Sequence, residues 1–155
     1  MGSSPTAIAI FSKAPIAGLS KTRLIPQLGA SGAAKLQARL IARAVATAKA
    51  ANLGGISLWC MPDSSHPFFQ DIAEKYSLAL HAQTGEDLGA RMEKAFALLA
   101  KTMPVLLMGT DCVAIDARLL KRCAASLHKG HDAVFLPVED GGYILGSRLI
   151  KSTTR

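Results

Sequence analysis

The chain has 155 residues, half of them hydrophobic and 19% charged, a composition that fits one globular domain burying roughly 68–70% of its unfolded surface and excludes a disordered chain. No apolar run approaches the roughly 18 residues of a membrane span, and Met1-Gly2-Ser3-Ser4-Pro5 places no basic region before the first apolar stretch, so a cytoplasmic protein without a signal peptide is expected. The net charge of +7 is one-sided: residues 1–62 hold seven Lys or Arg and no Asp or Glu, which suits a polyanionic ligand in the first half, while scarce aromatics (5%) and the lack of a known motif disfavour nucleic acid.

Residues 6–11 form a short apolar run that reads as a first strand. Phe11-Ser-Lys-Ala-Pro-Ile-Ala-Gly-Leu-Ser-Lys-Thr-Arg-Leu24 follows it. A loop leaving the carboxyl end of a strand for a helix is where open α/β sheets bind ligands. Lys13, Lys21, Arg23, the hydroxyls of Ser20 and Thr22, and the adaptable backbone at Gly18 equip this loop for phosphate oxygens. It is not a Walker P-loop. Lys21-Thr22 fits the end of G-x-x-x-x-G-K-[ST], but Pro15 and Ser20 stand where both glycines belong. The competing reading is a solvated basic loop.

Residues 31–52 carry a helical pattern, with Leu36, Leu40, Ala44, Val45 and Ala48 on one face and Lys35, Arg39 and Arg43 as a wet stripe; Leu53-Gly54-Gly55 stops it. Residues 56–61 read as a second strand, 66–76 as a helix and 78–82 as a third strand. Thr84-Gly85-Glu86-Asp87-Leu88-Gly89-Ala90-Arg91-Met92 opens a helix over residues 88–101. Glu86 and Asp87 suit its N-terminus, Gly89 suggests close packing or ligand approach, and Arg91 suits either a phosphate or a surface ion pair.

Residues 104–108 read as a fourth strand, followed by Gly109-Thr110-Asp111-Cys112. Asp111 is placed either to hold Mg²⁺ or Mn²⁺ on a diphosphate or to cap the next turn, and spacing leaves both readings open. A helix over 116–127 and a fifth strand over 133–137 complete the pattern. Glu139-Asp140-Gly141-Gly142-Tyr143 then sets two acids on the same rim, suited to orient an acceptor, act as base or complete a metal site; Asp-Gly is equally a hairpin turn. This alternation predicts a three-layer α/β/α domain spanning residues 1–155 with a mostly parallel central sheet. Cys60, Cys112 and Cys123 form no C-x-x-C pair and read as reduced thiols, while His66, His81, His128 and His131 share no metal spacing and read as surface or turn residues.

In order, F-x-K-x-P-x-x-G-x-x-K-T-R-L, G-E-D-L-G-x-R-M, G-T-D-C and E-D-G-G-Y, spread over residues 7–145, resemble an uncharacterised bacterial group of GT-A-like glycosyltransferases of the selenodomain-associated type, related to the nucleotide-diphospho-sugar transferases. The resemblance implies that Lys13, Gly18, Lys21, Thr22 and Arg23 hold the donor nucleotide, with Asp111 as the metal or diphosphate residue. It also implies that Glu139 and Asp140 line the transfer site. The expected activity is metal-assisted glycosyl transfer from a nucleotide-diphospho-sugar. The alternatives are a nucleotidyltransferase acting on an NTP, like the guanylyltransferases of cofactor synthesis, and a non-catalytic nucleotide- or partner-binding domain. Family members run on for several tens of residues, through another helix and a late D-x-D-T-x-E-D-L-like segment, whereas here Tyr143-Ile-Leu-Gly-Ser-Arg148 drifts from the family's pattern and the sequence stops at Arg155. An exposed sheet edge covered by a homodimer is the expected consequence.

Overall fold

The computed structural model describes residues 4–138 and 142–148. Its strands are β1 (Ala7–Lys13), β2 (Ile56–Met61), β3 (Ala79–Ala82), β4 (Val105–Met108), β5 (Ala133–Pro137) and β6 (Tyr143–Ser147). A 3-10 turn, Thr22–Leu24, precedes helix α1 (Ile25–Ala51); α2 (Pro67–Tyr76), α3 (Leu88–Leu99) and α4 (Ala117–His128) follow. The strand order is β3-β2-β1-β4-β6-β5. β1 runs parallel to β2 and β4, and β2 parallel to β3, whereas β6 is antiparallel to both β4 and β5. The mostly parallel α/β/α expectation holds.

Strand residues alternate between two cores, as a period of two requires. Ile8, Ile10, Leu58, Leu106, Met108 and Ile144 face a core closed by Ile41 and Val45 of α1, Phe69 and Ile72 of α2, and Leu120 of α4. Ala9, Phe11, Trp59, Val105 and Leu107 face the opposite side, where α3 contributes Ala95 with Met92 and Phe96. Burial on both faces is why these strands are continuous apolar runs. On the α3 side, Trp59 stacks between Phe11 (centroids 6.1 Å apart) and His81 (4.3 Å), and its indole N–H donates to Ser57 Oγ at 2.9 Å. Toward the outer part of that face, Phe135 of β5 is 58% exposed among the described residues and stacks on Tyr143 at 5.7 Å.

Four features differ from the sequence reading. Residues 143–147 form a strand inserted between β4 and β5, so β5, with β3 at the other side, is an edge of the sheet among the described residues. Gly146 obscured it: the position reads as weak in a strand, yet a Cβ there would sit 2.9 Å from Leu106 Cδ2 and 3.1 Å from Leu127 Cδ1. The buried face of α1 is Ala33, Gln37, Ile41, Ala44, Val45 and Ala48, with Leu36 and Leu40 only partly buried. α1 also begins earlier, at Ile25, with a non-helical break at Gly29 (φ 74°). It ends at Asn52, which caps it in the left-handed conformation (φ 50°). Gly54, read as part of the stop, instead lets the chain pass Thr6, whose carbonyl oxygen would lie 2.5 Å from a Cβ.

Burial, with Asp63 adding to it, pushes the Cys60 thiol up to about 12, and burial raises Cys123 as well. Because thiolate is the nucleophile, both should resist iodoacetamide at mildly alkaline pH and alkylate only when the chain is unfolded, as peptide mass spectrometry would read. An unfolded thiol ionises near 9 and folded Cys60 near about 12. Cys60 therefore makes stability fall as pH rises through that window, an effect that denaturant midpoints for the wild type and Cys60→Ala would resolve.

Candidate functional site

β1 and β4 are neighbours pointing the same way, and β5 leads into β6 at the same end, where Met108 pairs with Ile144 and Pro137 with Tyr143. The loops after β1, after β4 and between β5 and β6 therefore share one rim.

The first loop is folded on itself around Ser20, which is buried. Its hydroxyl donates to Ala14 O at 2.6 Å and accepts from the Ile16 N–H at 2.8 Å. Its own N–H donates to Ile16 O at 2.9 Å. Gly18 turns the loop with φ 86° and is exposed. Lys21 then takes a left-handed conformation (φ 50°, ψ 45°), at a cost of roughly 1–2 kcal/mol for a residue bearing a Cβ. No side chain caps the 3-10 turn that begins at Thr22.

From that position the Lys21 ammonium donates to Asp111 Oδ1 of the loop after β4. The pair spans 90 residues of sequence, with the Lys21 side chain 12% exposed and that of Asp111 65% exposed. Asp111 does not cap α4. Asp116 does so, accepting from the Leu119 N–H at 2.8 Å.

Two residues of α1 that the periodicity did not place at the loops hold them in position. Buried Gln37 donates to Lys13 O at 2.8 Å, and Arg43, read as part of the wet stripe, donates to Val113 O at 2.5 Å. The available signal was an amide at an inward helical position. Ser12, next to Lys13, buries a hydroxyl with no partner among the described residues.

Lys13 ends β1 with an exposed side chain, opposite Met61. Arg91 lies beside Met61: its Nη1 meets Met61 Sδ at 3.0 Å and its Nε donates to Gly85 O at 3.1 Å. It thus braces the rim on the β2 side and forms no surface ion pair among the described residues. Asp87, not Glu86, caps α3, accepting from the Ala90 N–H at 2.8 Å. Gly89 is exposed and has room for a Cβ, with Asp87 Oδ1 at an ordinary 3.5 Å; the tight glycine is Gly85. Thr22 and Arg23 are exposed directly after Lys21.

Glu139 and Asp140 lie outside the described residues. Their flanks do not: the Val138 N–H donates to Gly142 O at 2.9 Å, and Gly142 rests on Cys112, whose Cβ would be 2.5 Å from a Cβ at 142. No group of three His, Cys, Asp or Glu gathers among the described residues. Asp111 is thus an exposed carboxylate that the loop after β4 presents to Mg²⁺ or Mn²⁺, a donor that suits an ion whose other ligands are phosphate oxygens and water. A hollow of about 610 Å³ lies at the other end of the sheet, lined by Pro5, Pro104 and His128.

A bacterial protein family described as uncharacterised and conserved in bacteria (DUF2064) matches residues 34–152. Among solved structures, the chain is 28% identical to a protein of Desulfovibrio desulfuricans G20 whose proposed role is nucleotide-diphospho-sugar transferase, with a TM-score of 0.80 over 94% of this chain and 64% of that one. A cytidylyltransferase of Leptospira borgpetersenii shares the fold at 15% identity (TM-score 0.62, 95% of this chain and 61% of that one). So does a 4-diphosphocytidyl-2C-methyl-D-erythritol synthase at 11% (TM-score 0.56, 90% and 63%). No curated protein matches the sequence. The chain thus has the nucleotide-diphospho-sugar transferase fold and spans 61–64% of these relatives' lengths.

Gly142→Ala should force its new methyl group into Cys112, lowering stability by about 1–3 kcal/mol. Thermal denaturation of Gly142→Ala, Cys112→Gly and the double variant would show recovery in the double variant if the two loops touch as described.

Proposed function

The chain belongs to this uncharacterised bacterial family, and we propose that it transfers a glycosyl group from a nucleotide-diphospho-sugar to an acceptor. The convergence of Lys21 and Asp111 on one rim, from loops 90 residues apart, carries the reading. Lys13, Lys21 and Arg23 supply positive charge for a diphosphate, and the exposed turn around Gly18 and Thr22 lets backbone approach it. Arg91 shapes the adjoining wall. Mg²⁺ or Mn²⁺, held by Asp111, would supply further neutralisation of the leaving diphosphate.

In the transfer, the bond between the sugar's anomeric carbon and the diphosphate oxygen breaks, and an acceptor oxygen bonds that carbon. The acceptor's proton passes to a base, for which Glu139 and Asp140 are the candidates. The electron pair leaves on the nucleoside diphosphate, where the lysines and Arg23 stabilise it. The same cations suit a nucleoside triphosphate, which makes nucleotidyl transfer the reading to separate by products.

Incubation with sugar nucleotides of uracil, guanine and cytosine plus MnCl₂ should release a nucleoside diphosphate, and Asp111→Asn should cut that rate about 100-fold while the melting temperature holds. Pyrophosphate release from a triphosphate would replace glycosyl with nucleotidyl transfer. Failure of every nucleotide to bind in calorimetry would overturn both.

A further inference from the structure

The charge that Asp111 offers a metal is already taken: the Lys21 ammonium sits on its Oδ1. The cation is held in reach by fixed backbone on both sides. Ser20 locks the residues before it, and Gln37 and Arg43 tie Lys13 and Val113, on the two loops, to the same helix. Lys21 can therefore leave Asp111 by rotating its side chain, with neither loop moving.

Resting on the nucleotide reading above, we infer that Lys21 is a latch that makes divalent-cation binding conditional on a bound diphosphate. Without an anionic ligand, a divalent cation at Asp111 must displace the Lys21 ammonium from that carboxylate, beside Lys13 and Arg23 of the first loop. The cations of the first loop oppose it. A diphosphate offers Lys21 two phosphate groups in exchange for one carboxylate. Once the ammonium turns to them, Asp111 is released to the metal, which gains phosphate oxygens as its remaining ligands. Metal alone finds the site neutralised, and metal with diphosphate finds it open. The coupling is reciprocal, so each ligand tightens the other by the same factor.

Titration of the full chain with MnCl₂, followed by the electron paramagnetic resonance of free Mn²⁺, tests this with and without UDP, GDP or CDP. The wild type should bind Mn²⁺ at least about tenfold more tightly with its preferred nucleotide than alone. Lys21→Met should bind Mn²⁺ alone about three- to tenfold more tightly than the wild type, bind the nucleotide more weakly, and lose most of the coupling. Ordinary bridging of Mn²⁺ by the nucleotide survives that substitution, so loss of coupling belongs to the lysine. Circular dichroism establishes that the variant is folded, and Lys21→Gln serves as a second variant if it is not. Equal Mn²⁺ affinity of the wild type with and without a nucleotide that calorimetry shows to bind, or an unchanged Mn²⁺ affinity in the lysine variants, would overturn the latch. The MnCl₂ arm involves no nucleotide. It judges the latch even where nucleotide binding, and the reading it rests on, fails.

Discussion

Pairing of β1 with β2 on one side and β4 on the other is the constraint on which the site depends. Ile8 lies opposite both Ile56 and Leu106, and a slip of one residue would turn each inward side chain to the wrong core. Burial on both faces makes such a slip prohibitive, so the register is fixed by hydrophobic packing alone. Because β1 and β4 are adjacent and run the same way, the chain after Lys13 and the chain after Met108 emerge side by side. A contact between Lys21 and Asp111 becomes a short reach for a lysine, despite the sequence between them.

The same helix serves packing and positioning. α1 buries Ile41 and Val45 in the larger core while its Gln37 and Arg43 grip a carbonyl of each loop. A buried amide costs free energy unless satisfied, and Gln37 is satisfied by the one backbone oxygen that ends β1. The loop arrangement is thereby made part of the folding equilibrium and is not left to the ligand to impose.

Most strands and all four helices of the described residues were legible because their apolar periods are strong and their breaks carry Gly or Pro. β6 was not, since Gly146 and Ser147 have poor strand propensity and Gly146 earns its place only through Leu106 and Leu127. The α1 face was misjudged because a hydrophobic count favours Leu36 and Leu40 over Gln37. At the candidate site, the sharing of one rim by the loops after β1 and β4 could be read from strand-to-helix position, but not the Lys21–Asp111 ion pair. Nor could the engagement of Arg91 by Met61 and Gly85 be read. Such contacts arise between segments distant in sequence, where no local pattern records them.

The chain has a single tryptophan, and its surroundings give the molecule a built-in optical reporter. Trp59 is buried, pressed against the His81 ring, and lies two residues before Met61, the thioether that Arg91 contacts at the rim. Indole emission responds to polarity and to a stacked imidazole. Shifts of β2 or β3 beneath the rim will therefore register in a single spectral band, without a label.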